Sequence, residues 1–108
     1  MEKQWYSART VYEVLVSSGK KGYHLYEDRI IVLQALSIDN AIEEAEKEAK
    51  IYAQKAGCKY LDFVSVFHLF ENNIMDKSEV YSLMRDSKLS EDKYLDKFFD
   101  TGKERTKR

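Results

Sequence analysis

Residues 37–57 constrain the fold most, because they carry the marks of one long amphipathic helix in a chain that contains no proline. Ser37 is a good helix N-cap, and Gly57 suits the left-handed residue that closes a helix. Between them, apolar residues recur at spacings of three and four, as the buried stripe of a helix requires. Small side chains permit close approach, so the pattern predicts a long helix packed closely on a sheet. The stripe is Ile38, Ala41, Ile42, Ala45, Ala49, Tyr52, Ala53 and Ala56.

Three other segments have the pattern of β-strands. In residues 5–16 the even-numbered side chains are mostly apolar, whereas the odd-numbered ones include Ser7, Arg9 and Glu13. This alternation predicts a long strand whose even-numbered face is buried. Residues 17–22 are small, flexible or charged and indicate a hairpin turn, and residues 23–36 can form the second strand. Residues 60–70 are largely apolar on both faces, which places this third strand in the middle of the sheet. The buried face of the first strand is Tyr6, Ala8, Thr10, Tyr12, Val14 and Val16.

The remaining segments suggest one more strand and one more helix. Residues 79–85 can return as a short fourth strand, and Ser90 can cap a short C-terminal helix with an apolar stripe. The predicted fold class is therefore α+β, in the order β-β-α-β-β-α. A four-stranded antiparallel sheet in the spatial order 2-1-3-4 would satisfy the right-handed crossover rule, with the long helix on one face. Because the second and third strands are apolar on both faces, the other face needs cover, either from Phe98 and Phe99 of the last helix or from a second copy of the chain.

Length and charge bound the possible functions. The 108 residues predict one domain over residues 1–102 and a basic, disordered tail over residues 103–108. The net charge is −1, and the tail alone carries +3, so residues 1–102 carry −4. This balance argues against a nucleic-acid coat or a polybasic membrane protein. The longest apolar run is residues 30–33, too short to cross a membrane. With a lone cysteine and no apolar leader at the start, we expect cytoplasmic localisation.

Motifs for catalysis or cofactor binding are not visible. Gly19 and Gly22 lack the spacing and the following helix of a phosphate loop. His24 and His68 are far apart in sequence and have no neighbouring Cys or His at metal-ligand spacing. Cys58 follows the C-terminal end of the long helix, where the helix dipole raises a thiol pKa. The sequence therefore predicts no catalytic residue, no metal, no cofactor and no enzymatic activity. A small-molecule or hydrolytic enzyme stays open only if the folded chain forms a deep pocket around His68 or His24.

One segment overlaps a pattern of RNA-binding strands. Residues 59–67 share its basic start and its Phe-Val step, but Leu61 and Asp62 stand where small residues are needed, and an aspartate repels phosphate. Nucleic acid is therefore not the partner that we expect. An RNA-associated accessory module, using sheet aromatics and the tail 103–108, is the alternative function.

The main hypothesis is a non-enzymatic protein-binding module, of the immunity or adaptor type. Its support is the apolar sheet surface in excess of what one helix covers, together with the lack of catalytic motifs. The mildly acidic body favours a partner with basic groups, and self-association as a homodimer is the other way to cover the sheet. The candidate interface residues are Trp5, Tyr60, His68, Phe98 and Phe99.

Several short segments together resemble a known family. The segments are Trp5-Tyr6-Ser7-Ala8-Arg9, Tyr26-Glu27-Asp28-Arg29-Ile30-Ile31-Val32-Leu33, the Ala41/Ala45/Ala49 helix and Val80-Tyr81-Ser82. Over residues 5–85 the chain resembles a family of small bacterial proteins that is catalogued as a domain of unknown function. The resemblance implies a stand-alone cytoplasmic bacterial domain and supplies no catalytic residues. The last helix lies outside it.

Overall fold

The computed structural model describes residues 2–15, 21–70 and 72–100. Within them the chain is α+β, with three strands and two helices. The elements are β1 (Gln4–Val14), β2 (Leu25–Ala35), α1 (Ile38–Ala56), β3 (Cys58–His68) and α2 (Glu91–Phe98). The predicted tail 103–108 and most of the predicted turn 17–22 lie outside the described residues.

The three strands form one antiparallel sheet in the order β2-β1-β3. Tyr6 of β1 lies opposite Leu33 of β2 and opposite His68 of β3. Helix α1 connects β2 to β3, which therefore run parallel to each other on either side of β1. The third strand, predicted to lie in the middle of the sheet, is therefore an edge strand.

The core lies between α1 and one face of the sheet, which we call the helix face. The predicted even-numbered face of β1 is buried here at Tyr6, Ala8, Thr10 and Tyr12. Val14 is half-buried, and Val16 lies outside the described residues. The helix contributes its small-residue stripe to this core, and four of its alanines are buried: Ala41, Ala45, Ala49 and Ala53. Because small residues of the helix meet tyrosines of the sheet, the two layers approach closely without leaving a gap.

Both ends of α1 have the predicted caps. The Ser37 side chain accepts a hydrogen bond from the backbone N–H of Asn40 at 3.0 Å. Gly57 has a φ of 70°, in the left-handed region, and its N–H bonds to the carbonyl of Ala53. Both satisfy backbone groups that a helix end leaves without an intrahelical partner.

The prediction of a four-stranded sheet is wrong: among the described residues the sheet has three strands, and residues 79–85 contain no regular structure. The reason lies at Tyr81, whose hydroxyl bonds to that of Ser65 at 2.9 Å and whose ring lies 6.3 Å from that of Phe67. These contacts hold the segment over the surface of β3. A segment that lies over a strand cannot extend beside it in the plane of the sheet.

Strand β3 also departs from regular pairing. The register between β1 and β3 shifts between Thr10 and Tyr12, whose partners are Val64 and Tyr60. Asp62, within the extra length of β3, has a φ of 58°. This β-bulge lies on a strand at the edge of the sheet, where bulges are common and interfere with further pairing.

Candidate binding cleft on the sheet face opposite the helix

The second face of the sheet, which we call the far face, is only partly covered. It consists of the odd-numbered residues of β1 and the residues opposite them. Residues 81–85 and the end of α2 lie over part of it and leave a cleft of about 500 Å³. The cleft is lined by Arg9, Asp28, Ile30, Tyr81, Ser82, Leu83, Arg85, Phe98 and Phe99.

An ion pair forms the floor of the cleft. Arg9 Nε donates to Asp28 Oδ1 at 2.7 Å, and Arg9 Nη2 donates to the other carboxylate oxygen. This two-point contact raises the pKa of Arg9, mainly through the hydrogen bond to Asp28. The two groups neutralise each other, so that the floor presents a fixed polar surface rather than a net charge. Ile30, next to the pair on the same face, is 47% exposed.

Aromatic rings form the wall. Tyr94 of α2 lies 4.8 Å from the ring of Phe98 and 5.7 Å from that of Phe99. The Arg85 guanidinium lies 4.4 Å from the Phe98 ring centre and donates to the Tyr94 hydroxyl at 3.1 Å. These contacts are internal to the C-terminal segment. Phe98 and Phe99 remain 38% and 50% exposed, so their apolar surface is available from the cleft side.

Several polar groups of the cleft are engaged in contacts within the chain. Tyr81 has its hydroxyl bonded to Ser65, and the carboxylate of Asp28 is held by Arg9. No His or Cys is among the residues that line this cleft. Within the described residues, no group of three or more His, Cys, Asp or Glu side chains could hold a metal ion. An apolar floor residue, exposed rings and a fixed ion pair are features of a surface that receives an apolar side chain.

A second cluster of polar groups lies on the helix face and joins α1 to the sheet. The Tyr52 hydroxyl donates to Glu27 at 2.6 Å, and the Tyr60 hydroxyl donates to Glu46 at 3.0 Å. Burial, and then the bond to Glu46, raises the pKa of Tyr60. Burial also raises the pKa of the Cys58 thiol, which makes that thiol a poor nucleophile. We therefore interpret this cluster as structural.

The five candidate interface residues do not form one site. Trp5 lies on the far face, opposite Gln34, and is half-buried. Phe98 and Phe99 lie together in the wall of the cleft. The other two lie on the helix face: Tyr60 is buried, and His68 stacks on Tyr6 with ring centres 4.9 Å apart.

The position of Tyr60 also bears on the RNA-binding pattern at residues 59–67. Tyr60 as a whole is 8% exposed, and its hydroxyl is bonded to Glu46. A base can stack only on an accessible ring, so Tyr60 cannot serve as a stacking platform.

Of the nine residues that line the cleft, the sequence prediction included only Phe98 and Phe99. The seven that it missed are Arg9, Asp28, Ile30, Tyr81, Ser82, Leu83 and Arg85. From the sequence alone, the adjacent carboxylates Glu27 and Asp28 have the pattern of an ordinary solvated pair. The two carboxylates do point to opposite faces, as adjacent strand residues must, but each is engaged, Asp28 by Arg9 and Glu27 by Tyr52. The available signal was the antiparallel register of β1 and β2, which places Arg9 diagonally to Asp28 on one face.

Comparison with known proteins finds no matching family model, no matching curated protein and no matching solved structure. No helix among the described residues combines the length and apolar character that a membrane crossing requires.

Proposed function

We propose that this protein is a non-catalytic protein-binding module of the immunity or adaptor type, and that its far-face cleft receives an apolar segment of the partner. The observation that supports this proposal is the exposure of Ile30, Phe98 and Phe99 around one cleft. Exposed apolar groups that converge on a concave surface are typical of a docking site for another chain.

The partner's chemistry follows from the cleft and from the overall charge. An aliphatic or aromatic side chain fits between Ile30 and the rings of the wall, where it would be removed from water on most sides. Around this anchor, the charge of −4 over residues 1–102 favours a partner with basic groups. The ion pair of Arg9 with Asp28 is already formed, so the floor needs no rearrangement on binding.

Site-specific photo-crosslinking tests the proposal. A photoreactive residue at Leu83, which lines the cleft, is compared with the same residue at Ile51, on the helix; both positions are more than half exposed. In cells that naturally express the protein, we expect a recurrent adduct with one other protein from position 83 and none from position 51. Phe99→Ala in the chain that carries the probe should reduce the adduct about tenfold or more, as the loss of a central anchor does.

Three results would contradict the proposal. They are equal adducts from both positions, adducts with RNA in place of protein, and an adduct that Phe99→Ala leaves unchanged. The RNA result would favour the alternative function, an RNA-associated accessory module.

A further inference from the structure

Strand β2 is an edge strand with an uninterrupted backbone. Its residues pair with β1 from Gln4↔Ala35 to Val14↔Leu25 without a shift in register. Among the described residues, no strand pairs with its outer edge. The opposite edge, β3, carries the bulge at Asp62. A long regular edge presents a row of free backbone donors and acceptors that can pair with another strand, whereas a bulged edge opposes such pairing.

The side chains that usually protect an edge strand are engaged within the chain. Charged residues discourage edge pairing, and β2 has three in succession. Glu27 accepts a bond from Tyr52, Asp28 is paired with Arg9, and Arg29 is paired with Glu48. The following residues 30–33 are all apolar. The second half of β2 therefore lacks the charged side chains that discourage an edge strand from pairing with another strand.

Exposed apolar side chains lie along this edge, beside polar groups of α1 and of the N-terminal segment. Ile30 and Val32, on the far face, are 47% and 41% exposed, and Leu36 beyond the strand end is 44% exposed. A groove of about 510 Å³ follows the edge. It is lined by apolar side chains from both faces of β2, by Leu36, and by polar groups that include Glu44 and Glu48 of α1 and Lys3. A strand added here would cover apolar surface as well as satisfying backbone groups.

From these observations we infer that the protein forms a homodimer by antiparallel pairing of β2 with β2 of a second copy. Two identical strands that pair antiparallel are related by a two-fold axis perpendicular to the sheet. The pairing yields a continuous sheet in the order β3-β1-β2-β2-β1-β3. Both copies of α1 then lie on one side, and both far-face clefts open on the other.

The sequence of β2 suits a second copy of itself. With the axis at Ile31 or Val32, the apolar residues 30–33 of the two copies meet around the axis. Asp28 then lies opposite Gln34 or Leu36 of the other copy, and no two like charges are directly opposed. Only an axis near the charged residues 27–29 would place like charges opposite each other, which is unfavourable. The charge pattern thus disfavours registers centred on residues 27–29 and permits those that bury the apolar residues 30–33.

The oligomeric state tests the inference. We expect light scattering at about 100 µM, a concentration that detects even weak dimers, to give twice the chain mass of 12.7 kDa. Val32→Lys should raise the dimer dissociation constant about tenfold or more, since edge lysines oppose pairing. The matched control is Phe63→Lys on β3, where the side chain is 50% exposed, and it should leave the dimer intact. A strict monomer, or a dimer that Phe63→Lys disrupts and Val32→Lys does not, would overturn the inference.

Cysteine crosslinking gives a second, independent measurement. In a Cys58→Ala background, a cysteine at the two-fold axis lies opposite its own copy, within disulfide reach. We expect Ile31→Cys or Val32→Cys to form a covalent dimer on mild oxidation and Tyr26→Cys to remain monomeric. If neither axis variant crosslinks, the inference is overturned. Val32 does not line the cleft, so these results are separate from those of the photo-crosslinking test.

Discussion

Arg29 on strand β2 donates two hydrogen bonds, each 2.7 Å long, to the two carboxylate oxygens of Glu48 on helix α1. Its guanidinium also lies 3.8 Å from the ring centre of Tyr52. One side chain thus joins strand to helix through an ion pair and a cation–π contact. Both partners of the ion pair are partly exposed. Its contribution to the free energy of unfolding should therefore lie between that of a fully exposed ion pair and that of a buried one.

The first prediction concerns this pair. Arg29→Met should lower the free energy of unfolding by about 1–2 kcal/mol, because Glu48 loses both donors while the apolar stem is kept. Urea unfolding measures the change. The control is Lys47→Met, whose exposed pairs with Glu43 and Glu44 should be worth less than about 0.5 kcal/mol. Equal losses for the two variants would show that Arg29 acts only as a surface charge.

The second prediction concerns alkaline pH. Burial and the bond to Glu46 raise the pKa of Tyr60 above the ordinary tyrosine value of about 10. The unfolded state therefore releases this proton first, and stability falls with rising pH. The contribution should be fully present below about pH 10 and be lost as pH rises toward the folded pKa.

Tyr60→Phe provides the test of this pH dependence. The variant should show a shallower fall of the unfolding free energy between about pH 10 and pH 11.5. When the native wild-type protein is titrated with base, the tyrosinate absorbance should include a component that appears only at higher pH than the others. The Tyr60→Phe variant should lack this component. If the phenolate of Tyr60 forms together with those of the exposed tyrosines, the hydroxyl is not held as the structure shows.

Local signals predicted α1 and the buried face of β1 from Tyr6 to Tyr12 correctly. Ser37, the alanine stripe and Gly57 act within a few residues of one another, and each determines a backbone bond or a packing face without reference to distant segments. The alternation from Tyr6 to Tyr12 likewise depends only on the period of a strand. Such features can be predicted from one sequence.

The cleft and the absence of a fourth strand among the described residues depend on contacts between residues far apart in the sequence. Residues 79–85 have the composition of a strand, and their position is decided by Tyr81, which meets Ser65 and Phe67 on the surface of β3. The partners in the Arg9–Asp28 pair are likewise joined only through the register of the hairpin. The bulge at Asp62 has no glycine to mark it, although its φ is positive. The position of residues 79–85, the Arg9–Asp28 pair and the bulge at Asp62 therefore have no signal in the neighbouring sequence.

The third prediction concerns the end of α1. Gly57→Ala should lower the unfolding free energy by about 1 kcal/mol, because an L-residue is strained in the left-handed region. A Cβ at this position would meet no atom within 4 Å, so the cost is conformational and not steric. Gly57→Asn should cost less, since asparagine tolerates this region better. Thermal unfolding of the wild-type protein and the two variants measures the order of their stabilities. A larger loss of stability for Gly57→Asn than for Gly57→Ala would contradict the prediction.

Two buried hydroxyl groups on β1 differ in their partners. Ser7 lies on the far face, opposite Val32 and Phe67, and its Oγ has no hydrogen-bond partner among the described residues. Thr10 lies on the helix face, and its hydroxyl is 2.7 Å from that of Tyr12. A buried polar group costs free energy when it lacks a partner and contributes stability when it has one.

The fourth prediction is that removing these hydroxyls has opposite effects. Ser7→Ala should leave the unfolding free energy unchanged or raise it by up to about 1 kcal/mol, because an unsatisfied group is removed with little change in volume. Thr10→Val should lower it by about 1–2 kcal/mol, because the buried Tyr12 hydroxyl loses this partner. Both residues lie on the same strand and are fully or almost fully buried, so each serves as the control for the other in urea unfolding. A loss for Ser7→Ala as large as that for Thr10→Val would mean that the Ser7 hydroxyl is hydrogen-bonded in solution, for example to a second copy or to a partner docked on the far face.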